Sequence, residues 1–389
     1  MKKTFLFLSA LLMTAGVFTA CDNDDTDFSN YTLVNDDDDD DDNDTTTVAV
    51  TDTIYITYNN TSATVSGDTQ GLVTTSNAHV TVNDLTSARG MVLVLSGSAT
   101  DGSLIVYRTA KYTLVLNGVS IANANGPAIN NQCSKALYVE CADSTTNSLS
   151  DGTAYSAQTY DQKGALFSEG QIFFSGSGTL NVNGSCKNAI ASDDYITIDG
   201  DIVINAVTAS TGSNGIKAND GMYINGGTLT INVASNGGRG IRCEARTTIT
   251  GGDIKIITTG DCVIETVDGV ADTTSAAGIK CDSLFSMTGG TLTIRSSGDG
   301  GKGINCNENI EFSGGTLDVQ TTGDNEEAKP KAVKSDTGII VSGGSFTAKV
   351  SKSWACDNGT ESETPEDHLT IAGTPTSSTI TKKEVIINY

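Results

Sequence analysis

The sequence predicts an all-β protein, a parallel β-helix built from coils about 25 residues long. Three observations predict it. Apolar and polar residues alternate with the period of strands, as in YITIDGDIVINA at 195–206. The chain carries 42 Gly and only 4 Pro, and no helical periodicity follows residue 20. Most tellingly, GIKANDGMYINGGTLTI at 215–231 returns as GIKCDSLFSMTGGTLTI at 278–294.

The first twenty residues precede the fold. Lys2 and Lys3 lead into the apolar run FLFLSALLM and the small-residue site FTAC. This reads as a secretory signal over 1–20 that resembles a bacterial lipoprotein signal, with Cys21 as the lipidated residue. The apolar run is too short to span a bilayer as a helix. Residues 21–47 form a tether in which positions 22–47 hold twelve aspartates and no Lys, Arg or Glu. Such a run repels itself and stays solvated. Asp22 and Asp24 also resemble a surface-export signal of Gram-negative lipoproteins. The expected location is therefore the outer membrane, facing outward, with the membrane met through the lipid anchor only.

Residues 48–389 form the expected β-helix domain. The small residues Ala128, Ala165, Ala189, Gly215, Gly240, Gly278, Gly303 and Ala332 open successive coils, at spacings of 37, 24, 26, 25, 38, 25 and 29. Eleven positions after each of the last five comes a Gly-Gly pair, then a polar–apolar strand such as TLTI. Neither a leucine-rich frame nor a propeller-sized blade fits this period. The two long spacings predict lateral loops at about 142–163 and 257–275. Alternation predicts an inward column of Ile129, Leu166, Ile190, Ile216, Ile241, Ile279, Ile304 and Val333. A second inward column holds Ser168, Ser192, Ala218, Cys243, Cys281, Cys306 and Ser335. Residues 357–378 read as a polar loop and KKEVIINY as a last strand, protecting the end of the coil stack.

Nine cysteines occur. Cys243, Cys281 and Cys306 share an inward column and read as small buried apolar residues. Cys133 and Cys141 are the candidate disulfide. With only His79 and His368 available, a histidine-based triad is unsupported.

The formal net charge of −24 argues against nucleic acid as a partner. Two outward columns concentrate the charge. Lys217, Arg242, Lys280 and Lys334 sit two residues after their anchors, and a second basic set, Lys187, Arg239, Lys302 and Lys331, precedes the anchors. Beside them runs a mostly acidic column that includes Glu169, Asp193, Glu244, Asp282 and Asp336. One reading is a ladder of exposed ion pairs, each worth roughly 0–1 kcal/mol. The other is a strip for an anionic sugar polymer. Lys217, Arg242, Lys280, Lys334, Arg239 and Lys302 would meet carboxylates there. Asp193, Asp194, Glu244, Asp282, Asp299 and Asp336 would hold Ca²⁺. GDGGKG at 298–303 is followed by a strand pattern, so it is not a nucleotide loop.

The stretch LVLSGSATDGSLIVYRTAKYTLVLNGVSIANANGPAIN (93–130), then NSLSDG (147–152), then the GIKA…GGTLTI coils resemble the carbohydrate-binding β-helix family first named from a cellulolytic clostridial protein. The resemblance implies a right-handed, pectate-lyase-like β-helix. It implies Ca²⁺ binding and adhesion to acidic or plant-wall polysaccharide without catalysis. The expected oligomeric state is a monomer. The family often writes Asp-Gly before the Ile of each coil. Here Asn214, Arg239, Ala277 and Lys302 stand at that Asp position, which favours direct basic contacts. Two alternatives stay open. One is a lyase using Ca²⁺ and a Lys217, Arg242 or Lys280 base; the other is an adhesin or stalk with a protein partner.

Overall fold

In the computed structural model the described residues are 50–389, apart from 87–88, 268–269, 327, 353, 363–364, 373–376, 383–384 and 389. The signal segment, Cys21 and the tether lie outside them. The described residues form a parallel β-solenoid of about 11 turns. From the coil opened by Ala128 onward each coil lays down three strands; before it, Gly90–Ala99 and Tyr112–Asn123 each run as one long strand. In the coil opened by Gly215 the three are Ile216–Ala218, Gly221–Ile224 and Thr228–Val233. First strands stack into a 12-stranded sheet, and second and third strands run through a 23-stranded sheet.

The repeat sets the register. Ile129, Leu166, Ile190, Ile216, Ile241, Ile279, Ile304 and Val333 are successive Cα partners, and all are buried. A one-residue slip would turn this whole column to solvent, so each coil holds the next in place. The second inward column is also buried from Ser168 to Ser335. Its small hydroxyls steer the chain around the following corner. Ser192 Oγ donates to the Gly170 carbonyl at 2.9 Å and accepts the Asp194 amide at 3.1 Å. Ser335 Oγ accepts the Thr337 and Gly338 amides at 3.1 and 2.9 Å. The Gly-Gly turns behave as expected: the second glycine of each of the five pairs, Gly227 to Gly344, has positive φ.

One expectation needs correction, and two gain detail. The first lateral loop is shorter than 142–163, because Thr146–Asp151 is a solenoid strand paired with neighbours on both sides. The second carries its own antiparallel hairpin, Val263–Val267 with Val270–Thr274. At the C-terminal end, Ser377–Lys382 continues the parallel stack, and Val385–Asn388 then pairs with it antiparallel. At the other end, Val50–Asn60 pairs antiparallel with Ser62–Ser66 and parallel with Gly90–Ala99.

The proposed bridge between Cys133 and Cys141 is absent, since both are free, buried thiols. The extended strand Leu137–Cys141 lies between them and holds them apart. Cys243, Cys281 and Cys306 are free and buried in their column. Cys306 beside it and burial together push the Cys281 thiol up.

Candidate functional site

The outer face of the 12-stranded sheet brings the two basic sets together except for Lys187, which precedes its strand and donates to the Gln162 carbonyl at 2.6 Å. Ala191, Lys217, Arg242, Lys280, Asn305, Lys334 and Asp357 are successive partners along it. Arg239, Ala277, Lys302 and Lys331 form the adjoining column. Asn188 and Asn214 extend that column toward the N-terminus, joined by an amide hydrogen bond of 2.8 Å. Simple alternation would point Arg239 and Lys302 inward, alongside Ile241 and Ile304. The anchor glycines prevent this. A Cβ on Gly240 would lie 2.3 Å from Ile256 Cγ2, and one on Gly303 2.1 Å from Val319 Cγ1. These two positions already face the core, so the strand breaks its alternation there and delivers the preceding cation to the outer face.

The acidic column supplies partners to the first basic column. Lys217 Nζ lies 3.0 Å from Glu244, and Arg242 lies 3.9 Å from Glu244 and 2.5 Å from Asp282. Lys280 lies 3.1 Å from Asp282, and Lys334 pairs with Asp336. Burial alone would raise Asp282. Hydrogen bonds from Arg242 and Lys280 override it and hold the carboxyl below its ordinary range. Pairs this close to solvent add little stability individually, but they fix the direction of each cation.

The second basic column is less well matched. Burial, and then Arg242 nearby, pulls the Arg239 guanidinium below its ordinary pKa. Its Nε is buried without a hydrogen-bond partner among the described residues. Lys302 is buried, and its ammonium donates to the Ala328 and Lys329 carbonyls at 3.0 and 2.5 Å and, at 3.4 Å, to that of Gly300. Burial, then Lys331 and Lys334, lowers its pKa to about 8.

The six carboxylates expected to hold metal are not brought together. Asp193 joins Asp161 and Glu169 in a group whose oxygens all lie within 4.8 Å of one another. Asp194 accepts the Tyr195 amide at 2.8 Å. Glu244, Asp282 and Asp336 serve the ion-pair ladder. Asp299 belongs to a ladder of turns. Its amide donates to Asp261 at 2.8 Å, and it accepts the amide of Asp324 at 2.7 Å. Sequence reasoning missed Asp161 and Lys163, because they reach the site from a loop. Lys163 Nζ lies 2.7 Å from Asp161 and also pairs with Asp193. Burial, then Asp193 and Asp161, raises Glu169. The amide of Asn219 rests against Asp193 at 3.5 Å, and its Oδ1 is buried without a partner among the described residues.

At the other end the basic face opens into a pocket of about 810 Å³. Lys302, Lys331, Lys334 and Asn305 line it together with Lys329, Trp354 and His368. The Trp354 and His368 rings lie 4.7 Å apart at 33°. Lys331 is held by Asp357 at 2.8 Å.

A row of rings flanks the carboxylate group across the corner into the next sheet. Tyr138, Phe173, Tyr195 and Tyr223 follow one another at centroid distances of 5.0, 5.5 and 6.0 Å. Only Phe173 and Tyr223 share an offset from their coil anchors, so no fixed spacing in the sequence marks the row.

A family model described as carbohydrate-binding domain-containing protein matches residues 76–244 and 230–327. Among curated proteins none matches. The solenoid is similar to a polysaccharide lyase-like protein from C. thermocellum, solved as a gadolinium derivative. The TM-score is 0.54, with 24% identity over 69% of this chain and 100% of that chain. The family match runs through the coils that carry Lys217, Arg242, Lys280 and Lys302, and the chain belongs to the carbohydrate-binding domain-containing protein family.

Proposed function

We propose that the outer face of the 12-stranded sheet binds an acidic, polyuronate-like polysaccharide, assisted by calcium and without catalysis. The carrying observation is the unmatched positive charge of Arg239 and Lys302. Both are cations depressed by burial and by cationic neighbours, and an anion laid along the face relieves that cost. Coils repeat every ~4.8 Å, close to the rise of one sugar unit, so successive coils can meet successive carboxylates. Retention of the protein in a native gel containing polygalacturonate tests the reading. Equal mobility with and without the polymer would reject it.

Binding is preferred to β-elimination because the candidate bases are engaged. Lys217, Arg242 and Lys280 each face a carboxylate, and the Lys302 protons go to carbonyl oxygens. Ultraviolet-absorbing unsaturated product from polygalacturonate would overturn this part.

For calcium, the residues that fit are Asp161, Glu169 and Asp193, with the unpartnered Oδ1 of Asn219. Three carboxylates share one ammonium there, so the group keeps negative charge and oxygen donors of the kind calcium takes. A bound calcium ion would neutralise that excess. Millimolar calcium is expected to raise the melting temperature of the wild type and to leave the Asp161→Asn, Asp193→Asn double variant unmoved. An equal rise in both would place the ion elsewhere.

The pH dependence follows from Lys302. Its ammonium is charged below about 8 and neutral above, so the face loses a cation as pH rises through that value. Polyuronate affinity is therefore expected to fall between roughly pH 7 and 9, and Lys302→Met is expected to flatten that part of the profile. The signal segment and Asp-rich tether support placement on the outer membrane through lipidated Cys21, with the β-helix held clear of the surface.

A further inference from the structure

Four ammonium groups, Lys302, Lys329, Lys331 and Lys334, line the pocket against two carboxylates, Asp357 and Glu361. Asp336, just outside the lining, pairs with Lys334. A positive excess remains, in a chain whose formal net charge is −24. The middle of the face is different: there Lys217, Arg242 and Lys280 each have an acid beside them, and arginines are present.

Arginine presents a planar fork that suits the two oxygens of a carboxylate, whereas lysine is a compact charge with three donors. A pocket lined by lysines and no arginine suits an anion with more oxygens spread in three dimensions. Three terminal oxygens of a sulfate ester can accept from several ammonium groups at once, where a carboxylate offers two. The Trp354 ring in the wall gives a sugar an apolar face to lie against, and the volume is that of a site for a ligand of several rings.

We propose that this pocket is a subsite for a sulfate ester, so that the ligand is a sulfated, uronate-containing polysaccharide. Lys329 and Lys334 meet the sulfate, with Lys331 held beside them by Asp357, and the Arg242 stretch meets the uronate carboxylates. The proposal rests on the anionic-glycan reading above and sharpens it.

The test is calorimetric titration of the full chain with chondroitin 4-sulfate and with unsulfated chondroitin oligosaccharides of equal length. Both carry uronate; only one carries sulfate. The sulfated ligand is expected to bind at least about tenfold more tightly, the scale of one charge-assisted hydrogen bond. The Lys329→Ala, Lys334→Ala variant, which leaves the buried lysines in place, is expected to bind the two ligands equally. Arg242→Ala is expected to weaken both and preserve their ratio. Melting curves of each variant check that the fold persists. Equal wild-type affinities, or a preference that survives in the lysine variant, would overturn the sulfate subsite and leave the anionic-glycan reading standing. Failure to bind either chondroitin while polygalacturonate still retards the protein would overturn the sulfate subsite alone, and failure with all three would overturn both readings.

Discussion

Replacing Phe312 with alanine is expected to lower stability by about 3–5 kcal/mol. Phe312 is fully buried in the coil interior, and its ring lies 5.7 Å from that of Phe346 at 58°. Its strand, Ile310–Phe312, pairs with Phe285–Met287 on one side and Ile339–Val341 on the other. Deleting the ring forfeits its transfer free energy and leaves a cavity that two clamped neighbours cannot close. Because a solenoid is stabilised coil by coil, the damage should concentrate near the C-terminal end, where the pocket sits. Denaturant unfolding should show a lower midpoint, and amide exchange should rise first around residues 302–350. Phe312→Leu, which keeps most of the volume, is expected to lose much less. A Phe312→Ala loss below about 1 kcal/mol would mean that the coil interior relaxes far more than close packing allows.

The interior was legible in the sequence for a physical reason. Stacking identical strands forces one residue type into one column, so Ile216 and Ile241 announce each other at a spacing of 25. Lys217, Arg242 and Lys280 were legible for the same reason: they share the offset that the repeat enforces. What resisted reading depends on contacts that no period encodes. Asp161 and Lys163 reach Asp193 through the loop that follows Asp151. Trp354 and His368 meet in the pocket wall across a turn outside the repeat. Arg239 and Lys302 were noticed, but their outward direction depends on the inward turn of Gly240 and Gly303. The ring row from Tyr138 to Tyr223 carries no constant offset. Of the two readings of Glu244 and Asp282, the ion-pair ladder is the one the structure shows. In-register cations one coil away reach those carboxylates, and the low pKa of Asp282 records that they do.

Reversing the charge at the centre of the face, Arg242→Glu, is expected to reduce polyuronate affinity at least about tenfold. Arg242 stands in register between Lys217 and Lys280 and bridges Glu244 and Asp282. A glutamate there would place three carboxylates between two lysines. The local potential would change sign, and an approaching anionic chain would meet repulsion across the width of a coil. Folding should suffer far less, because the half-exposed ion pairs being broken contribute little. A melting temperature close to wild type together with lost retention is thus the expected pair of results. Arg242→Lys keeps the charge but not the fork, so it should fall between the two. Salt supplies an independent axis: wild-type affinity should drop steeply as ionic strength rises, and the reversed variant should show a flatter dependence. The variant also changes Asp282, which loses a hydrogen bond and keeps Lys280. Its carboxyl should move up toward the ordinary range, a shift that carboxyl-carbon NMR can follow. Unchanged glycan retention beside a shifted Asp282 would mean that the ladder serves the fold alone, and the ligand would then have to be sought on another face of the solenoid.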